Sequence, residues 1–134
     1  MGANMHDYII HIIQDHEWVS TVVHGSGYFD ADGEDFFHFS FVHQIEESAN
    51  LHFEGKDKVR LLVCESERFG DKLKIEWVKS RKEQMPHVYM PHFDAGYVKF
   101  HTAMRRGDDG KFYIPPALDA FLDDPESPEA KPWT

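Results

Sequence analysis

The chain holds a single cysteine among 134 residues, which excludes an internal disulfide framework. That residue, Cys64, lies inside VRLLVCE, surroundings that read as a buried, inert thiol. Long apolar runs are missing too: Leu61 to Cys64 is typical of the longest, far short of a bilayer-spanning helix. The opening MGANMHDYII lacks the basic start and apolar segment of a secretory signal and the Ser/Thr of a myristoylation signal. A cytoplasmic protein is the expectation. Neither G-x-G-x-x-G nor the Walker pattern occurs, which removes the commonest nucleotide folds. G-x-S-x-G is also absent, GSG at 25–27 being too short for a nucleophile elbow.

Positive charge is scarce. Lys and Arg number 14 against 24 Asp and Glu, for a net charge of −10. Part of the excess sits near the end, where Asp119, Asp123, Asp124, Glu126 and Glu129 face Lys131 alone. The only basic clusters are KSRK at 79–82 and the pair Arg105 and Arg106. Phosphate neutralisation supplies most of the affinity for nucleic acid, so this balance argues against such a partner.

Hydrophobic residues make up 41% of the chain and aromatics 14%, which excludes disorder over most of its length. A chain of this size forms one domain and buries roughly two thirds of its unfolded surface. DYIIHII at 7–13 reads as a strand covered on both faces except at His11. QDHEWVSTVVHG follows as a helix with Asp15 at its N-cap and Gly25 as a stop. The Gly- and Asp-rich stretch GSGYFDADGEDF reads as a loop. The spacing of Ile45, Ala49, His52 and Phe53 predicts an amphipathic helix closed by Gly55. KVRLLVCES is a buried strand, and KLKIEWVK alternates with Leu73, Ile75 and Trp77 inward. QMPHVYMPHFDAG, broken by Pro86 and Pro91, reads as irregular. YVKFHTAM and KFYIP flank RRGDDG as a hairpin. The expectation is an α+β domain over residues 1–117, with two helices in the N-terminal half, and an acidic flexible tail over 118–134.

The chemistry concentrates in a few polar groups set among apolar ones. In DFFHFS (35–40) strand alternation sends Phe37, Phe39 and Phe41 to one face and Phe36, His38, Ser40 and Val42 to the other. His11, between isoleucines, is either a core histidine bonded to a carbonyl or a site residue. His38 shares that ambiguity. Ser40 either caps the following helix or faces a ligand. In MPHVYMP the prolines hold His87 and Tyr89 extended on one face, which suits a planar ligand or a loop covering the core. Glu76 falls on the polar face of its strand, where a solvated carboxylate is the default. Ten histidines raise the question of a metal. The pairs His11/His16, His38/His43 and His87/His92 are five apart, however, a poor ligand spacing on strand or helix. No metal site is expected.

YIIHI with Trp18 beyond it, DFFHFS followed by Gln44, FEGKDKVRLLVCE, LKIEW, PHVYMP and DGKFYIP recur in one order. That series, over about residues 7–116, resembles the bacterial family catalogued as domain of unknown function 952. Two departures stand out. Asp35-Phe36-Phe37 replaces the family's Gly-Phe-Ile before the histidine, and Met90-Pro91 replaces Gly-Pro after the tyrosine. The resemblance implies an ADP-ribosyltransferase-like arrangement of split antiparallel sheets around a cleft for NAD or an ADP-ribose-like nucleotide. By that analogy His11 contacts ribose, and His38 with Ser40 walls the nicotinamide. Gln44, His87 and Tyr89 are carried over as further cofactor contacts. Glu76, His87 or Tyr89 would assist transfer, the three remaining open, since analogy of fold does not establish catalysis. Two other expectations stand beside it: a non-catalytic ligand-binding or interaction domain, and an RNA 2′-phosphotransferase-like enzyme, whose His-x-His-Leu-Ser stretch is similar to FFHFS.

Overall fold

Tyr8–Gln14 form β1, with Tyr8, Ile9, Ile10 and Ile13 of YIIHIIQ buried and the other three half-buried. A computed structural model of the chain describes residues 7–31 and 35–126. In it β1 lies inside an antiparallel four-stranded sheet, between β4 (Ser40–Phe41) and β5 (Lys58–Glu65), with β9 (Val98–Arg105) outside β5. The register sets Ile9 opposite Cys64, Ile10 opposite Val63 and His11 opposite Leu62. Tyr8, Ile10, Leu61, Val63, Phe100 and Met104 turn to one face. There they pack on Ile45 and Ala49 of α2 (Ile45–His52) and on Leu118 and Phe121 of α3 (Pro116–Asp123). Ile9, Ile13, Leu62 and Cys64 turn to the other face and meet a cluster rich in phenylalanine, including Phe37, Phe39, Phe41 and Phe93. Complete burial pushes the Cys64 thiol far up from its usual range, so no thiolate is offered. The α+β class and the antiparallel sheets are as expected from the sequence.

Two smaller antiparallel sheets supply that second layer. In one, β3 (Phe37–His38), β7 (Glu83–Val88) and β6 (Leu73–Val78) lie side by side. In the other, β2 (Tyr28–Asp30) pairs with β8 (His92–Asp94) and brings Phe29 against Phe93. At the end of β1, α1 (Asp15–Trp18) runs into a single π-helical stretch, Val19–Val23, where the β-branched cluster weakens ordinary helical packing. Asp15 is the first helical residue rather than the cap. Its carboxylate reaches Arg60 Nε at 2.7 Å and Lys58 Nζ at 3.0 Å. Arg60 Nη1 in turn donates to His101 Nδ1 at 2.9 Å, and Trp18 stacks on the His101 ring at 4.0 Å. Burial, then the Arg60 charge, pulls His101 down to about 4.

Four expectations are corrected. Ile75 and Trp77 do not point inward: they are 49% and 59% exposed, on the outer strand of the three-stranded sheet, and only Leu73 reaches the core cluster. The stretches read as irregular and as loop contain most of β7, all of β8 and β2; β7 tolerates Pro86 because its carbonyl still accepts Phe39 N–H at 3.0 Å. The arm after RRGDDG makes a single bridge, Arg106 with Phe112. It is instead sewn to α2, where Asn50 bonds both backbone groups of Phe112 and Glu46 accepts from Ile114 N–H. Finally, Leu118 and Phe121 are buried, so 118–123 belong to the folded body. Of the rest of the expected tail, residues 127–134 lie outside the described residues. No helix among the described residues is long and apolar enough to cross a membrane.

Two outcomes follow from this packing. Phe121→Ala, which removes a ring stacked on Phe100 at 4.7 Å, should cost about 3–5 kcal/mol in urea unfolding. Because the folded His101 resists protonation, the unfolded chain binds the extra proton between the ordinary imidazole value and about 4. Stability is therefore full above the former and falls as pH drops toward the latter. His101→Phe should flatten that part of the Tm-versus-pH profile.

Candidate functional site

A five-residue segment changes partners and leaves a gap behind it. Phe37 and His38 pair with Val88 and His87 of β7, whereas Ser40 and Phe41 pair with Ile10 and Ile9 of β1. The ladder with β4 ends at Ile10. Beyond it, from His11 on, no strand among the described residues pairs with that side of β1. A cleft of about 370 Å³ opens there. Its apolar wall is Ile10, Ile12, Phe39, Phe53, Val78 and Met85; its polar groups belong to His11, His38, Ser40, Ser48, His52, Ser80, Arg81 and His87.

The alternation read in DFFHFS holds: Phe37, Phe39 and Phe41 are buried in the core while His38 and Ser40 face the cleft. His11 is bonded to a carbonyl and also borders the cleft. Its Nδ1 lies 2.7 Å from the His38 carbonyl, which only accepts, so Nδ1 carries the proton. Yet the same ring lines the cleft, wedged against Phe37 and Phe39 at centroid distances of 5.5 and 5.3 Å. Ser40 does not cap a helix; its hydroxyl meets that of Ser48 at 2.7 Å.

Arg81 stands behind that pair. Its side chain is 4% exposed, and Nη1 donates to Ser48 Oγ at 3.0 Å. Nε and Nη2 lie 3.4 and 3.3 Å from the Glu47 and Glu83 carboxylates, ion-pair distances without hydrogen-bond alignment. The guanidinium therefore pegs the turn between β6 and β7 to α2. Burial, then the charges of Arg81 and His38, lowers His52 below the usual imidazole range.

Glu76, His87 and Tyr89 form one cluster on a single face of β6 and β7. His87 is buried and lines the cleft. Its Nδ1 lies 2.9 Å from Glu76 Oε1, which also accepts the Tyr89 hydroxyl at 2.6 Å. Glu76 is thus a hydrogen-bonded carboxylate rather than a merely solvated one, and the Tyr89 and His87 bonds hold its acid below the usual range. Neither Glu76 nor Tyr89 lines the cleft; both stand behind His87. Gln44 is not at the site. It is buried, with Oε1 accepting Phe41 N–H and Nε2 donating to the Gln84 carbonyl, each at 2.9 Å. Its carry-over as a cofactor contact is corrected to a structural tie between α2's approach and β7. Among the described residues no three His, Cys, Asp or Glu side chains gather to hold a metal ion.

Sequence reasoning missed Ser48, His52 and Arg81 as cleft residues. Ser48 and His52 stand three and seven residues after Ile45, on the same helical stripe as Ala49 and Phe53, so the helical period did carry a signal for them. Arg81 had none, because its burial depends on a turn between two strands.

The family described as Protein of unknown function (DUF952) matches residues 12–99. The chain belongs to DUF952. In fold the DUF952 chain is similar to protein CC0527 from Caulobacter crescentus. The X-ray structure of that protein aligns with a TM-score of 0.70 at 25% identity, covering 86% of this chain and 97% of that one. The solution NMR structure of CC0527 aligns with a TM-score of 0.67 at 25% identity, covering 85% and 96%. No curated protein matches the chain.

Removing the peg tests its part in shaping the cleft. Arg81→Ala should cost about 3 kcal/mol, near the lower end for a broken buried pair because Glu47 is solvated. Amide shifts should concentrate at Ser40, Ser48 and His52, as read by urea unfolding and two-dimensional NMR.

Proposed function

We propose that the cleft binds a nucleotide, NAD or an ADP-ribose-like ligand, in an ADP-ribosyltransferase-like setting. The observation that carries this reading is the convergence of His11, His38, Ser40 and His87 on one concave surface between β1 and β7. These residues come from distant parts of the chain, and the split of segment 37–41 brings them together.

The donor set fits such a ligand. A base or nicotinamide ring is planar and apolar on its faces, and Ile12, Phe53 and Met85 offer surfaces of that kind. A ribose and its phosphates require a few fixed hydrogen-bonding groups, which the imidazoles and the Ser40–Ser48 hydroxyl pair supply. The volume of about 370 Å³ is near the small end for ligand pockets, so one nucleoside-sized half of a dinucleotide is enclosed and the other lies at the mouth. Glu76 stands behind His87 instead of lining the cleft. A direct electrostatic role for it at the ribose is therefore not part of the proposal, which favours ligand binding over glycosyl transfer.

Titration of the isotope-labelled chain with ADP-ribose, and separately with NAD, tests this reading. Saturable shifts are expected at His11, His38, Ser40 and His87. His11→Ala should weaken binding about tenfold, equivalent to about 1.4 kcal/mol. Unmoved signals at all four residues with millimolar ligand would remove the nucleotide from consideration.

A further inference from the structure

The polar group best prepared to do chemistry in this cleft is the imidazole of His87. We infer that His87 is its proton-accepting group, oriented by the Glu76 carboxylate, and acts on a hydroxyl-bearing ligand or a water bound beside His38. The inference goes beyond the nucleotide reading and does not require it, since it rests on the arrangement of three side chains.

Glu76 Oε1 receives two groups, the Tyr89 hydroxyl at 2.6 Å and His87 Nδ1 at 2.9 Å. A carboxylate only accepts, so Tyr89 donates its O–H and Nδ1 carries a proton. In the neutral ring Nε2 is then the bare nitrogen. The two nitrogens lie on different sides of the ring. Nδ1 is directed to a carboxylate that does not line the cleft, while His87 itself does. Among the described residues Nε2 has no hydrogen-bond partner, and it is not among the sealed polar atoms. A lone pair at the cleft wall, with an anion behind the ring, is the arrangement that general-base chemistry needs.

The ring is also held still. Phe36 lies over it at a centroid distance of 4.4 Å, and His38 meets it nearly edge-on at 5.2 Å. Phe36 continues onto Tyr89 at 5.1 Å, so the tyrosine that restrains the carboxylate is restrained in turn. His11 is less well prepared: its Nδ1 proton goes to a neutral carbonyl, a weaker support for a developing imidazolium than a carboxylate. In the step itself the ligand or water O–H bond breaks. The proton moves to Nε2, the oxygen keeps the electron pair, and Glu76 faces the new positive charge across the existing hydrogen bond. Glu76 and Tyr89 are positioning residues.

Long-range proton–nitrogen NMR of the full chain, with imidazole nitrogens labelled, reads the tautomer directly. His87 should show a protonated Nδ1 and a bare Nε2. Glu76→Gln keeps an acceptor oxygen and should keep that tautomer, whereas Glu76→Leu should give a mixture of both, with amide dispersion checking that each variant is folded. A merely structural contact would not make this distinction. As a second readout, diethyl pyrocarbonate should acylate His87 at Nε2, severalfold more slowly in Glu76→Gln than in the wild type. A wild-type His87 protonated at Nε2 would overturn the inference. So would a tautomer indifferent to Glu76→Leu, or a His87 left unmodified while exposed imidazoles react to completion.

Discussion

One hydrogen bond, from the Phe39 amide to the Pro86 carbonyl at 3.0 Å, sits where the chain leaves one sheet for another. Before it, Phe37 and His38 belong with β7; after it, Ser40 and Phe41 belong with β1. A buried backbone donor stranded between sheets would cost free energy comparable to a lost hydrogen bond. The proline supplies the acceptor while having no N–H of its own to satisfy. With this contact in place the two sheets can diverge, and the divergence is the cleft. The phenylalanines on the opposite side of the same segment fill the wedge between the sheets. A single stretch of sequence therefore closes the core with one set of side chains and furnishes the cavity with the other.

Polar groups in such a place must be satisfied without being exhausted. The site does this by sharing. His11 gives one nitrogen to a main-chain oxygen and presents its ring to the cavity. Ser40 and Ser48 satisfy each other, and Arg81 completes Ser48 from behind. Glu76 serves two partners with one oxygen. The cost of burying these groups is thereby kept low, and hydrogen-bonding capacity remains on the cavity side. The separation between groups that line the cleft and groups that hold them is the main functional statement the geometry makes.

How much of this could be read beforehand depended on the range of the determinant. β1, β5, α2 and the facing of DFFHFS were legible because alternation and helical period are local consequences of burial. The convergence of His11, His38, Ser40 and His87 was anticipated only through family resemblance, since no local pattern shows which strands become neighbours. Failures arose where tertiary context reversed a local rule. LKIEWV alternates as expected, but its strand lies on the outside of a small sheet that covers only Leu73. Its polar face therefore turns Glu76 toward His87 and Tyr89, and Ile75 and Trp77 meet solvent. Gln44 looked like part of a motif, yet its amide ties the start of α2 to β7. The segment from Leu118 looked like a tail because its charge is acidic, although two apolar residues three apart were enough to dock a short helix.

The Trp18–His101 stack has a use apart from its place in the core. Trp18 is 7% exposed with an imidazole 4.0 Å from its indole, while Trp77 is 59% exposed. These two indoles therefore emit from opposite environments. Light from the enclosed one follows the docking of α1 on the main sheet, and light from the open one follows the outer strand of the small sheet. With the third tryptophan, Trp133, which lies outside the described residues, replaced, the chain carries its own optical gauge for whether those two layers come apart together or one at a time.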